Sequence, residues 1–192
     1  MDYELAVEGA PSVIPGGSGI LLLHPSTGET DRIDTDFLRL DTDRFLVIST
    51  RTTAREVQQK LEFFEVDRSK AVILDTLSVE RGYSRRHTDA IQYVSAPDDL
   101  VGIVAKTEAF FAGTTGKRRI SVDSITELAY YADESSARQA VERLLDLLET
   151  HDAVGIFHLS PEVHDDDVVE AYEAMFDGVV ELAPDGTVTA RF

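Results

Sequence analysis

Apolar residues along this chain fall into short unbroken runs that alternate with wider stripes at helical spacing. The runs at 20–23, 44–49, 70–74, 119–122 and 153–159 are continuous rather than alternating, which predicts strands covered on both faces. Between them, Ile33, Phe37 and Leu40 predict a short helix over 31–40, and Val57, Leu61 and Phe64 a helix over 53–64. Leu100, Ile103, Val104 and Phe111 predict another over 98–113, and Ala140, Leu144, Leu147 and Leu148 a long one over 136–150. Runs at 178–182 and 187–192 flank Pro184-Asp185-Gly186, turn chemistry that closes a C-terminal β-hairpin. Residues 11–19, rich in Pro and Gly, read as a turn-filled lead into the first strand, and 79–96, where Arg81, Arg85, Arg86 and His87 gather without apolar periodicity, as a loop. Alternating strands and helices call for one three-layer α/β/α domain over 1–192 with a mostly parallel central sheet.

The segment 20–30 reads Ile-Leu-Leu-Leu-His-Pro-Ser-Thr-Gly-Glu-Thr, a strand running into the skeleton of a phosphate-binding loop. A working loop of pattern GxxxxGK[ST] cradles phosphates with backbone N–H groups, sends Lys to the β/γ oxygens and places Ser/Thr on Mg²⁺. Gly28 and Thr30 survive, but the leading glycine is absent, with His24 nearest its place, the loop is one residue short, and Glu29 stands where the lysine belongs. Two unit charges about 4 Å apart at an effective dielectric near 20 interact by roughly 4 kcal/mol, so this exchange turns attraction to phosphate into repulsion of similar size. The second informative segment, Arg119-Ile-Ser-Val-Asp-Ser, delivers Asp123 and Ser124 to the carboxyl end of a strand, where ligands bind in open α/β sheets.

Taken in order, these segments resemble the RecA-like ATPases and, among them, the KaiC branch, whose Walker B strand ends in a similar Asp-Ser-Leu. Ile14-Pro-Gly-Gly-Ser-Gly-Ile-Leu-Leu resembles the entry to Walker A, Phe45-Leu-Val-Ile-Ser-Thr-Arg the second core strand, and Val154-Gly-Ile-Phe-His-Leu-Ser the strand after Walker B. Met175-Phe-Asp-Gly-Val-Val-Glu-Leu is similar to a late KaiC strand, and the whole resembles haloarchaeal KaiC-related proteins of unknown function. The resemblance implies a degenerate nucleotide site built from Ser26, Thr27, Gly28, Glu29, Thr30, Asp123 and Ser124, with Asp123 in the place of the Mg²⁺-binding aspartate. It also implies glutamates just after the second strand, but Thr50-Arg51-Thr52-Thr53 stands there. With lysine and carboxylate both missing, phosphoryl transfer loses its charge stabilisation and its water-positioning group, so a domain that does not hydrolyse ATP is expected. The alternative is a nucleotide-binding protein or slow ATPase that keeps a residual Mg-ATP site. A plainer reading of Asp123 is a strand-end residue that caps the next helix.

Charge narrows the function classes. Asp and Glu number 36 against 18 Lys and Arg, a net charge of −18, and only Lys60, Lys70, Lys106 and Lys117 are lysines. Such a surface suits a high-salt cytoplasm and opposes non-specific nucleic-acid binding, which depends on basic groups neutralising phosphates. With no cysteine, disulfides, thiolate metal sites and thiol nucleophiles are excluded. No apolar run reaches the ~20 residues that cross a bilayer, and no basic flank marks a leader peptide, so no membrane partner is expected. Gly113-Thr-Thr-Gly-Lys-Arg has only two residues between its glycines and precedes a strand, which makes it a turn, and His164-Asp-Asp-Asp reads as a helix start rather than a metal cluster. His24, His87, His151 and His158 are scattered, and no hydroxyl, imidazole and carboxylate triad can be read from spacing alone. No metal or resident cofactor is expected. A protein partner or homo-oligomer follows from the resemblance, because RecA-like domains pack side by side.

Overall fold

Eight strands form one sheet in a computed structural model that describes residues 1–192. In chain order the elements are β1 (Asp2–Glu4), β2 (Val13–Pro15), β3 (Gly19–Leu23), α1 (Asp31–Arg39), β4 (Arg44–Ser49), α2 (Ala54–Phe63), β5 (Ala71–Asp75) and β6 (Ile91–Tyr93). They continue with α3 (Leu100–Ala112), β7 (Arg118–Asp123), α4 (Ile125–Tyr131), α5 (Glu134–His151), β8 (Val154–Leu159), α6 (Asp166–Glu173), β9 (Gly178–Leu182) and β10 (Val188–Arg191). The main sheet runs β10-β9-β3-β8-β7-β4-β5-β6, with every pairing parallel except that of β9 with β10. Strands β1 and β2 pair separately.

The continuous apolar runs become central strands because both sides of each are covered. On β3, Ile20 and Leu22 join a core with Phe37 and Leu38 of α1 and Val57 and Leu61 of α2, while Leu21 and Leu23 face α3, α4, α5 and α6. That second layer packs Ile103, Leu128, Leu144, Leu148 and Tyr172 against Ile120, Val122 and Phe157. Burying each such side chain stabilises by roughly 1.5–3 kcal/mol, which holds the helices on the sheet despite the acidic surface.

Four elements, β1, β2, β6 and α4, were absent from the sequence-based expectation. Inside the turn-rich lead, Val13–Pro15 is a strand because it pairs antiparallel with Asp2–Glu4, a strand near the N-terminus upstream of that lead. Within the expected loop 79–96, Ile91–Tyr93 is a strand because it finds β5 as a neighbour. Helix α4 is capped by Ser124, whose Oγ accepts the Glu127 N–H at 3.3 Å, so the strand-end cap is Ser124 and not Asp123. The helix start expected at 164–167 is α6.

Helix α2 carries a capping box. Thr53 Oγ1 accepts from the Glu56 N–H, and the Glu56 carboxylate accepts from the Thr53 N–H at 2.8 Å. Thr53→Ala should cost about 1 kcal/mol, read as a lower urea midpoint at unchanged slope. An unchanged midpoint would mean water replaces the cap without loss.

Candidate functional site

Parallel register aligns the carboxyl ends of β3, β8, β7 and β4, so their following residues meet along one edge. Ser49 pairs with both Asp75 and Asp123, and Leu22 pairs with His158. Strand β8 lies between β3 and β7, which places His158 between the loop after β3 and Asp123.

A buried polar network fills this position. Asp34 on α1 is fully buried and accepts from Lys60 Nζ of α2 at 2.8 Å, Ser121 Oγ of β7 at 2.5 Å and His158 Nε2 at 3.2 Å. Burial pushes the Asp34 carboxyl up, but Lys60 and His158 outweigh it and hold the group well below the usual carboxylate range. Lys60 is raised in turn: burial opposes its charge, and Asp34 more than compensates. His158 Nδ1 lies 3.3 Å from His24 Nε2, and His24 Nδ1–H donates to the Pro25 carbonyl at 2.8 Å. Burial, and then the neighbouring His158, lower His24 below the ordinary imidazole range.

Asp123 closes the network on the other side. Its carboxylate is ion-paired with the Arg51 guanidinium: Nη2 donates to Oδ2 at 3.3 Å, while Nε lies 3.0 Å from Oδ1 without hydrogen-bond alignment, and His158 Nδ1 is 3.9 Å away. Burial favours the neutral acid, yet His158 and Arg51 keep the Asp123 carboxyl below its ordinary value. The Ser124 N–H donates to Thr50 Oγ1 at 2.6 Å.

The loop after β3 does not present a phosphate cradle. The Gly28 N–H donates to the Pro25 carbonyl at 2.7 Å, and the Ser26 N–H donates to Glu162 Oε1 at 2.5 Å. Glu162 therefore sits where an incoming anion would meet the loop. Its carboxyl is lowered although burial opposes this, because the Ser26 N–H stabilises the charge. A Cβ on Gly28 would come within 3.0 Å of the Pro25 oxygen, which accounts for glycine in this tight turn. Thr30 is buried at the start of α1 and its side chain makes no capping hydrogen bond.

The seven expected site residues are thus divided. Thr27, Gly28 and Glu29 line a cleft of about 440 Å³ against residues 182–186, with Glu29 exposed there and not facing Asp123's neighbourhood. Ser26 and Ser124 line a different cleft of about 380 Å³, together with Arg51, Thr126, Glu127, Ser160 and His164. Burial raises the carboxyl of Glu127 there. Asp123 belongs to the buried network. The residues do not fit Mg-nucleotide: the aspartate is taken by a guanidinium, and no group of three or more His, Asp or Glu side chains is placed to hold a metal.

Asp34, Lys60 and His158 are the residues that the sequence reading passed over. Each breaks an apolar pattern. Asp34 shares the stripe of Phe37 and Leu38, Lys60 lies beside Val57 and Leu61, and His158 interrupts the run Val-Gly-Ile-Phe-His-Leu. A charged or imidazole side chain in such a place is costly unless partnered, so three of them together signal a network.

Comparison with solved structures supports the fold. A KaiC-like protein from the hyperthermophilic archaeon Pyrococcus horikoshii aligns with TM-score 0.64 at 16% identity, over 94% of this chain and 81% of that one. An uncharacterized protein of the same archaeon, solved in complex with an unknown peptide, aligns with TM-score 0.65 at 12% identity, over 92% and 83%. A prototypical ATPase from the type III secretion system of pathogenic bacteria aligns with TM-score 0.62 at 12% identity, over 90% of this chain and 53% of that one. The architecture is therefore the RecA-like α/β fold of KaiC-like proteins. A sequence comparison with curated proteins finds no match. The sequence model of one family, described as a family of unknown function, matches residues 1–192. No helix is long and apolar enough to cross a membrane.

Proposed function

This chain belongs to that family of unknown function, DUF7090, and on this premise we propose that it is a RecA-like domain that does not hydrolyse ATP and acts through protein contacts, in signalling or assembly. The observation that carries the reading is the Arg51–Asp123 ion pair, which gives to a guanidinium the carboxylate that a nucleotide enzyme would offer to Mg²⁺. Three further features support it. Glu29 replaces the loop lysine, the Gly28 and Ser26 N–H groups are spent within the chain, and Thr50, Arg51 and Thr52 occupy the place of catalytic acids. A retained fold with an internally neutralised site leaves the surface as the means of action, with a second copy or an active relative as partner. The acidic balance fits a halophilic, archaeal cytoplasm and disfavours nucleic acid as the partner.

The test is calorimetric titration of ATP and ADP with Mg²⁺ in molar KCl. No heat of binding is expected up to hundreds of micromolar nucleotide, and Glu29→Lys gains nothing, because its side chain lies in the cleft beside residues 182–186. Saturable binding, together with Mg²⁺-dependent turnover that Asp123→Ala abolishes, would overturn the reading in favour of a residual ATPase.

A further inference from the structure

The cleft of about 380 Å³ contains a second, unrelated arrangement. Side chains from α4, from the start of α5 and from the segment before α6, the last at least 30 residues from the other two, form a chain of hydrogen bonds along its wall. Thr126 Oγ1 on α4 lies 3.0 Å from His164 Nε2, in the segment between β8 and α6. His164 Nδ1 is hydrogen-bonded to Glu134 Oε1 at the start of α5. The other Glu134 oxygen accepts from the Tyr172 hydroxyl of α6 at 3.3 Å, which restrains the carboxylate from behind.

The partners settle the direction of each hydrogen. A carboxylate accepts, so His164 Nδ1 carries the hydrogen toward Glu134, which leaves Nε2 as an acceptor. Thr126 Oγ1 already accepts the Ser160 N–H at 2.9 Å, so its own hydrogen points to His164 Nε2. The result is a hydroxyl, a base and a carboxylate that orients the base, which is the geometry that activates an alcohol as a nucleophile.

Its surroundings suit a reaction at the hydroxyl. The His164 side chain is only 3% exposed, while Thr126, Glu134 and His164 all line the open cleft. The Ser160 N–H fixes Thr126 Oγ1 so that its own hydrogen is directed at His164 Nε2. Arg51, paired with Asp123, is the one guanidinium in the lining and gives the cleft a positive group. Ala129, Tyr130 and Val163 make the rim apolar, with Tyr130 81% exposed, so a small acyl group finds both cover and access.

We propose that Thr126 is an acyl-accepting nucleophile, with His164 as its general base and Glu134 as the positioning residue, acting on small esters with an apolar acyl group. In the first step Thr126 Oγ1 bonds to the carbonyl carbon as its proton passes to His164 Nε2. The bond to the leaving alkoxide or phenolate then breaks, and His164 returns the proton to it. Water deprotonated by His164 next attacks the acyl-threonine, releasing the carboxylic acid and restoring the hydroxyl. No oxidant, metal or nucleotide enters the balance, so the activity stands apart from the ATP question.

The test uses the full chain in molar KCl with p-nitrophenyl acetate, following phenolate release and the intact mass. We expect one acetyl group, located on Thr126 by peptide mapping, with release slowed at least tenfold in Thr126→Val and His164→Ala. Thr126→Ser should restore the adduct at position 126, and Glu134→Gln should slow acylation and displace its pH dependence. A structural tether among three helices would not respond in that way. Thr126→Val keeps the shape of the side chain, so it decides the matter even if His164→Ala fails to fold. An unmodified Thr126, or acetylation confined to lysines at equal rates in wild type and Thr126→Val, overturns the assignment.

Discussion

Asp34→Ala should lower the stability of this protein by about 3–5 kcal/mol, the largest single effect expected from any polar residue in it. The size follows from what would be left behind. Lys60 keeps its charge but loses a partner at 2.8 Å while its side chain remains only 16% exposed, and Ser121 and His158 lose an acceptor in the sheet. For a chain of this length each kcal/mol moves Tm by roughly 2–4 °C, so the Tm in molar KCl should fall by roughly 6–20 °C. The double variant Asp34→Ala, Lys60→Met should lose less than Asp34→Ala alone, because the stranded ammonium is gone.

The same residue predicts a pH dependence with a definite sign. Its folded carboxyl lies below the unfolded value of about 3.9, so its contribution is complete above that value and drains away as pH falls through it toward the folded one. The gap between wild type and Asp34→Ala should therefore hold constant above about pH 5 and narrow steadily as pH falls below about 4. A gap below about 1 kcal/mol at neutral pH would show that the network contributes little net stability and that water enters readily once the carboxylate is removed.

Arg119→Met should have the opposite sign, stabilising the protein by about 2 kcal/mol. Arg119 on β7 is fully buried, and only Nη2 has a hydrogen-bond partner, the Glu4 carbonyl at 2.7 Å. Nε and Nη1 have none. The guanidinium lies 5.3 Å from the Tyr3 ring and 4.8 Å from that of Phe37, contacts that recover part of the desolvation cost. Burial nevertheless holds its pKa down to about 10, with Asp41 and Tyr3 opposing only in part. A base lowered in the folded state penalises folding while charged, and stability rises as pH climbs through the folded toward the unfolded value. At neutral pH the penalty is present in full, and a flexible apolar side chain of similar length removes it. Thermal melting at pH 7 checks this; a lower Tm for Arg119→Met would mean that the two aromatic faces and the Glu4 carbonyl outweigh the cost.

Much of the fold was legible because its signals are local. The unbroken runs around Leu22, Val47, Ile73, Ile120 and Ile156 are short and bounded by turn or helix signals, as strands covered on both faces are, and the stripe at Ala140, Leu144 and Leu148 has the spacing of a helix lying on that sheet. Strands β1, β2 and β6 escaped because three residues carry no period of their own; they exist through a neighbour. The candidate site divides in the same way. Glu29 and Arg51 could be read as departures from a nucleotide enzyme, but where their charges point could not. Arg51 turns inward to Asp123, while Glu29 faces a different cleft.

What the sequence determined by itself is therefore the α/β architecture, an acidic Glu29 after β3 and the stretch Thr50-Arg51-Thr52 after β4, the absence of thiol chemistry, and the strong negative charge. These are properties of residue type and spacing, and no partner is needed to express them. Tertiary structure alone decided that His158 reaches both His24 and Asp34, 134 and 124 residues away, and that Thr126, Glu134 and His164 meet in one cleft. Those meetings depend on β8 taking its place between β3 and β7, and strand order arises from how the whole apolar surface is buried, which no local period records.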